Sequence, residues 1–198
     1  MTATTTWVDS VLSLVGRTPC VRITIEGREI ALKLEGFNPT GTLYDRVAAH
    51  AKITSPRPHV QDGGPLAASL AMLTATMHIP LSYNETEPTL FGAIASAFGA
   101  ESTEPAPSSG YRLDVDAVHA ELRTELDHEL DEEFRLLVPE LFGPATVDLE
   151  MRTQLGHQGV LVDARSAAVV RQALALPTEE LVVVVCLADG ALDQDGTL

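Results

Sequence analysis

Lysine occurs only twice in the 198 residues, at Lys33 and Lys52. The lysine amine is the side chain that condenses with a carbonyl to an imine, so chemistry of that kind rests on these two positions. Other reactive groups gather in short stretches. Tyr44, Asp45 and Arg46 are consecutive. Tyr44 can act as a general acid, but its phenol titrates ordinarily near ~10 and needs a neighbouring cation to act as a base. Asp62, Gly63 and Gly64 precede an apolar run. A helix starting there would offer backbone N–H groups to an anion, and Asp62 would cap the same groups as readily. Arg165 and Ser166 fall at a strand-to-helix turn, where the guanidinium can receive a carboxylate or phosphate. No GxSxG elbow surrounds Ser166, which weakens a hydrolase reading. The histidines (His50, His59, His78, His119, His128 and His157) form no HExxH. Asp127 and His128 with Asp131 or Glu132 share a helix face, but they read as solvated surface. Cys20 and Cys186 are far apart, without CxxC spacing, and read as buried free thiols. No metal site is expected.

The elements that would carry these groups follow from periodicity. Residues 7–15 place Trp7, Val8, Val11, Leu12 and Val15 on one face of a short helix, ended by Gly16. Two strands, 21–25 and 29–35, flank a Glu26-Gly27 turn. Residues 37–41 form a loop and 43–52 a helix; 54–59 is a proline-rich connection. A buried helix over 66–77, a strand over 79–83 and a helix from 87 or 88 to 98 give the βαβα alternation of parallel α/β units. Residues 101–110 read as a polar linker. The acidic segment 114–142 carries an apolar stripe through Val118, Leu122, Leu126, Leu130, Phe134, Leu137 and Leu141, which predicts one long helix or two broken near Pro139. A helix over 147–154, a strand over 160–164 and a helix over 166–176 follow. The run 181–188 predicts a buried, β-branched strand of a parallel sheet.

Composition narrows the partners. The chain is 45% hydrophobic and 21% charged, as a folded domain is. With 28 acidic and 13 basic residues its formal charge is −15, which disfavours nucleic acid and anionic membrane. The start MTATTTW has no basic region followed by an apolar run, so no signal peptide is expected. The longest apolar runs fall far short of the ~20 residues that span a bilayer, and a cytoplasmic location is expected. The predominance of arginine over lysine fits a high-GC bacterium, where such a protein could serve specialised metabolism.

The stretch 14–50, LVGRTPCVRITIEGREIALKLEGFNPTGTLYDRVAAH, resembles the cysteine synthase family, the pyridoxal-phosphate (PLP) enzymes of the tryptophan-synthase-β type (fold type II). Their pattern runs roughly IGNTPLVRL, then KLExxNPTGSxKDR. Residues 63–101, 145–176 and 181–190 are similar to later segments of the family, so the resemblance takes in roughly 2–101 and 145–198. It implies an α/β fold, with parallel sheets flanked by helices and an acidic helical insert. It also implies three regions: a reduced larger lobe from 1–53 plus 145–198, a small βαβα lobe at 54–101, and a linker with the acidic helical segment at 102–144. The insert 111–142 would cover the sheet where family strands are missing.

The departures fall at functional positions. The lysine that binds PLP in the family is matched by Tyr44, and a phenol cannot form an imine. The asparagine loop that holds the substrate carboxylate is matched by Gln61 to Leu66. The late SSG motif becomes Ala164-Arg165-Ser166, and the serine facing the pyridine nitrogen is matched at or beside Asp189. The family's glycine-rich phosphate loop has no counterpart, and the acidic insert stands in its place. Lys33 belongs to the KLE strand and Lys52 to a polar connection; neither replaces the missing lysine. No cofactor is therefore expected. The resulting expectation is a catalytically inactive pseudoenzyme that acts through protein–protein contact. Its partner would be a second copy, a biosynthetic enzyme or an intact PLP paralogue. The alternatives are a PLP-independent enzyme using Tyr44, Asp45, Arg46, Asp62 and Arg165, or a binder of amino-acid-like molecules. Asn38, Thr40, Thr42, Gly63, Gly64, Ser166 and Asp189 are the candidate ligand contacts.

Overall fold

The computed structural model describes residues 8–61, 63–85, 87–104, 110–139, 146–177 and 179–187. Two compact units divide the chain. One comprises Met1–Arg17, Asn38–Thr40 and Tyr44–Val118; the other comprises Thr18–Phe37, Gly41–Leu43 and His119–Leu198. The lobes read from the sequence run differently, because the first helix packs on the second and so draws residues 44–53 into the unit built around 54–101.

In the first unit, a 3-10 turn at Val11–Leu14, capped by the Ser10 hydroxyl, takes the place of the helix expected over 7–15. Trp7 lies outside the described residues. Helix α1 (Tyr44–Ala49) is shorter than expected, and the chain then forms β3 (Lys52–Ile53). Strand β4 (His59–Val60) emerges from the proline-rich connection and leads into α2 (Pro65–Thr76). Leu66 to Thr74 are all buried, as befits a helix apolar around its whole circumference. Proline at its first turn costs no hydrogen bond, since that N–H has no helical partner. Strand β5 (Ser82–Tyr83), α3 (Leu90–Ala97) and β6 (Glu101–Ser102) complete the βαβα run. β4, β5 and β6 pair in that order, all parallel. Thus the supposed linker at 101–110 begins with a strand. β7 (Tyr111–Arg112) returns to pair antiparallel with β3.

The second unit is built on a sheet of order β1-β2-β9-β8 among the described residues. β1 (Cys20–Ile25) and β2 (Arg28–Leu34) form the expected hairpin. Its two turn residues, Glu26 and Gly27, both have positive φ (53° and 79°), the combination a tight two-residue hairpin requires. β9 (Leu181–Cys186) pairs parallel with β2 and with β8 (Phe134–Leu137), and all six of its residues are buried. Such a strand, covered on both faces, explains the uninterrupted LVVVVC. Helices α5 (Leu149–His157) and α6 (Ala164–Ala175) cover one face through Met151, Leu155, Ala167 and Val170 against Ile30, Leu32, Val182 and Val184.

Two sequence expectations are corrected here. The acidic segment is not one long helix: α4 (Val115–Glu129) ends before three consecutive acidic residues, and Phe134–Leu137 is a strand. The apolar stripe is continuous in sequence, but after Leu130 it changes period, and Phe134 and Leu136 face the sheet core while Arg135 stays exposed. Leu126 and Phe134 pack on Ala31, Leu181 and Val183, so this segment does cover the other sheet face. Residues 160–163 form no strand either. Val162 plugs the core below α5 and α6, and Asp163 caps α6, which starts at Ala164.

Candidate functional site

Asn38, Thr40, Asp45 and Arg46 gather polar bonds in the first unit. Asp45 and Arg46, in the first turn of α1, have no exposed surface. Asn38 Oδ1 accepts the Gly16 N–H at 2.8 Å, and Arg46 Nη2 donates to the Gly16 carbonyl at 2.8 Å. The two side chains therefore clamp one backbone unit from both polar groups. Asp45 accepts the Thr40 N–H at 2.7 Å, the Thr40 hydroxyl, and the Ser69 hydroxyl at 2.6 Å. The Thr40 and Ser69 hydroxyl oxygens lie 3.1 Å apart. Donors thus ring this carboxylate, as a buried charge requires. Ser69 was not singled out from sequence. Its signal is its setting: a lone serine in PLAASLAML, whose neighbours are all apolar, needs a partner once buried.

Tyr44, the first residue of α1, is half-buried. Thr42 is buried and belongs to the second unit. The sequence candidates are thus divided: Asn38, Thr40, Tyr44, Asp45, Arg46, Gly63 and Gly64 lie in the first unit, and Thr42, Arg165 and Ser166 in the second. Asp62 and Asp189 lie outside the described residues.

Gly64 is the extended N-cap of α2 and supplies no side-chain cap. Gly63 packs against the loop after β5: a Cβ there would sit 3.3 Å from a Glu85 carboxylate oxygen. Glu85 accepts the Thr89 N–H at 2.9 Å, and the Thr89 hydroxyl lies 3.0 Å from both the Gly63 carbonyl and Glu85 Oε1. That hydroxyl also caps α3 by accepting the Gly92 N–H at 2.9 Å. Asn84 Oδ1 is buried nearby without a hydrogen-bond partner among the described residues.

In the second unit, Ser166 is structural. Its N–H donates to Asp163 Oδ1 at 2.7 Å, and its hydroxyl oxygen accepts the Leu187 N–H at 2.8 Å. Asp163 N–H donates to the Leu187 carbonyl at 3.1 Å, so Asp163 and Ser166 fasten the start of α6 to the end of β9. Arg165 is half-buried on the first turn of α6. Lys33 is wholly buried and donates to the Thr18 carbonyl at 2.7 Å, to Glu125, and to Glu129 at 3.2 Å. Lys52 is exposed on β3 opposite Arg112. Burial pushes both thiols up, with the Lys33 charge partly opposing the shift at Cys20. Among the described residues no group of three or more His, Cys, Asp or Glu is placed to hold a metal, and no helix is long and apolar enough to cross a membrane.

No protein-family model matches the chain, and no curated protein matches it. Solved structures do. The cysteine synthase of Entamoeba histolytica is similar over 98% of this chain and 92% of its own, with a TM-score of 0.66 at 14% identity. The O-acetylserine-dependent cystathionine β-synthase of Helicobacter pylori is similar over 95% and 98%, with a TM-score of 0.67 at 16% identity. A hydrogen sulfide-producing enzyme of Fusobacterium nucleatum is similar over 95% and 99%, with a TM-score of 0.60 at 16% identity. At such identities the likeness shows the fold: an α/β architecture of the fold-type-II PLP enzymes. It extends beyond the segments whose motifs carry the resemblance in sequence.

Proposed function

We propose that this chain is a catalytically silent relative of the cysteine-synthase-like enzymes that acts by associating with another protein. The observation that carries this reading is Tyr44 at the position of the family's imine lysine, beside an NPTG–DR cluster whose polar groups are bonded to Gly16, Ser69 and, between Thr40 and Asp45, to each other. The residues present do not fit PLP. Lys33 is held by a backbone carbonyl and two carboxylates, Lys52 stands exposed on a two-residue strand, and a phenol forms no imine. A chain freed of chemistry keeps its fold by being useful as a surface. The stripe of α4 does not supply that surface, because Val118, Leu122 and Leu126 are wholly buried. The large apolar side chains left exposed on the second unit include Phe37, Leu149 and Leu161. A second copy, a biosynthetic enzyme or an intact PLP paralogue is the partner this reading calls for.

The test is native mass spectrometry of the protein isolated gently from its own host. A protein partner, or a second copy, in fixed stoichiometry and no cofactor adduct is the expected result. A borohydride-reducible PLP adduct would overturn the reading, as would a lone chain that turns over an amino-acid substrate.

A further inference from the structure

Lys33 is the next-to-last residue of β2, with none of its side chain exposed. An ammonium has three N–H donors, and here one goes to the Thr18 carbonyl and the others to Glu125 and Glu129. Those two glutamates are one helical turn apart on α4, beside Leu122 and Leu126, which are wholly buried. Other charges nearby include the buried Glu35, whose carboxylate accepts the Thr18 hydroxyl at 2.7 Å, and, on the neighbouring strand, Arg22, which is itself paired with Glu29 and Glu132. Cys20 is the cross-strand partner of Lys33. Glu125 and Glu129 still touch solvent, with side chains 22% and 41% exposed.

We propose that Lys33, Glu125 and Glu129 form a charge latch that lets the 122–130 segment open from the sheet as a unit of its own. The physical basis is an imbalance. The segment buries a narrow stripe, whereas Lys33 is a full charge that cannot stay in a dry core alone. With both carboxylates in place, closure satisfies the ammonium and covers Ala31, Phe134, Leu181 and Val183. Without them, closure strands a buried cation, and lifting the segment hydrates it. The sheet does not share this fate, since β9 is anchored from its other face by α5 and α6. Opening bares that apolar cluster together with Cys20, which packs on it.

Hydrogen exchange and Cys20 alkylation on the full chain test this. In Glu125→Gln/Glu129→Gln, amides of 122–130 should lose protection by ~100-fold or more while those of β9 are unchanged, and Cys20 should label faster. Adding Lys33→Met removes the stranded charge at similar volume, and protection should return. The single Glu129→Gln, a milder change, should shift the same amides in the same direction by less. Unchanged protection in the double variant, joint loss in 122–130 and β9, or no recovery on adding Lys33→Met would each overturn the latch.

Discussion

Replacing Asp45 by alanine removes the acceptor for the Thr40 N–H, the Thr40 hydroxyl and the Ser69 hydroxyl at once. Hydrogen bonds to a charged group contribute about 1.5–3 kcal/mol each, but the two hydroxyls can turn to each other across their 3.1 Å separation. The Thr40 N–H cannot turn, and an orphaned buried N–H costs about 1–3 kcal/mol. The net destabilisation should be about 3–5 kcal/mol. With a urea dependence of about 1–3 kcal/mol per molar, the unfolding midpoint should fall by about 2 M. Asp45→Asn keeps one oxygen in place and should cost about half as much. Urea titration followed by circular dichroism measures both. If Asp45→Ala unfolds within about 0.5 kcal/mol of the parent, the cluster is not structural and Asp45 must be held for a ligand.

Three further outcomes follow from the same geometry. Gly92→Ala places a Cβ 1.7 Å from Glu85 Oε1, so it should displace Glu85 from Thr89 and destabilise by about 1–2 kcal/mol; in a Glu85→Ala background the same change should be neutral or stabilising in thermal melts. The Arg171 guanidinium, and then the Met151 N–H, hold the Asp148 carboxyl below its ordinary 3.8. Its contribution is therefore present above about pH 4 and fades as pH falls through the lower folded value, so the stability gap between parent and Asp148→Asn should shrink on acidification. In the native protein iodoacetamide should label Cys20 slowly and Cys186 only after unfolding; fast native labelling of Cys186 would contradict its burial.

Much of the α/β fold is visible in residue order. The hairpin, α2, α3, α6 and β9 follow from local patterns that agree with their burial: a two-residue turn, an apolar run opened by proline, and a β-branched stretch. What escaped the sequence is what neighbours decide. FRLL at 134–137 extends the helical stripe until an open flank of β9 offers a ladder instead. Residues 160–163 have strand composition, but the backbone of Asp163 bonds to Leu187 while its side chain caps α6, which leaves no ladder to join. At the candidate site, Asn38, Thr40, Asp45 and Arg46 were legible through the motif. Their consumption by Gly16 and Ser69 was not, because the partner carbonyl, N–H and hydroxyl come from segments remote in sequence. The glutamate partners of Lys33 were hidden for the same reason, lying about ninety residues away.

β9 lies inside its sheet, between β2 and β8, although it is the last of the described strands in the chain. During synthesis, β1, β2, α4 and β8 therefore leave the ribosome before the strand that joins them exists. Parallel pairing across such long separations is slow, since loop closure must precede any gain from contacts. Until residues 181–186 arrive, the nascent chain carries unpaired strand edges and an apolar surface with no partner, the kind of species that chaperones retain. A stop codon between Leu137 and Leu181 would leave the β1–β2 hairpin and β8 without the strand that joins them.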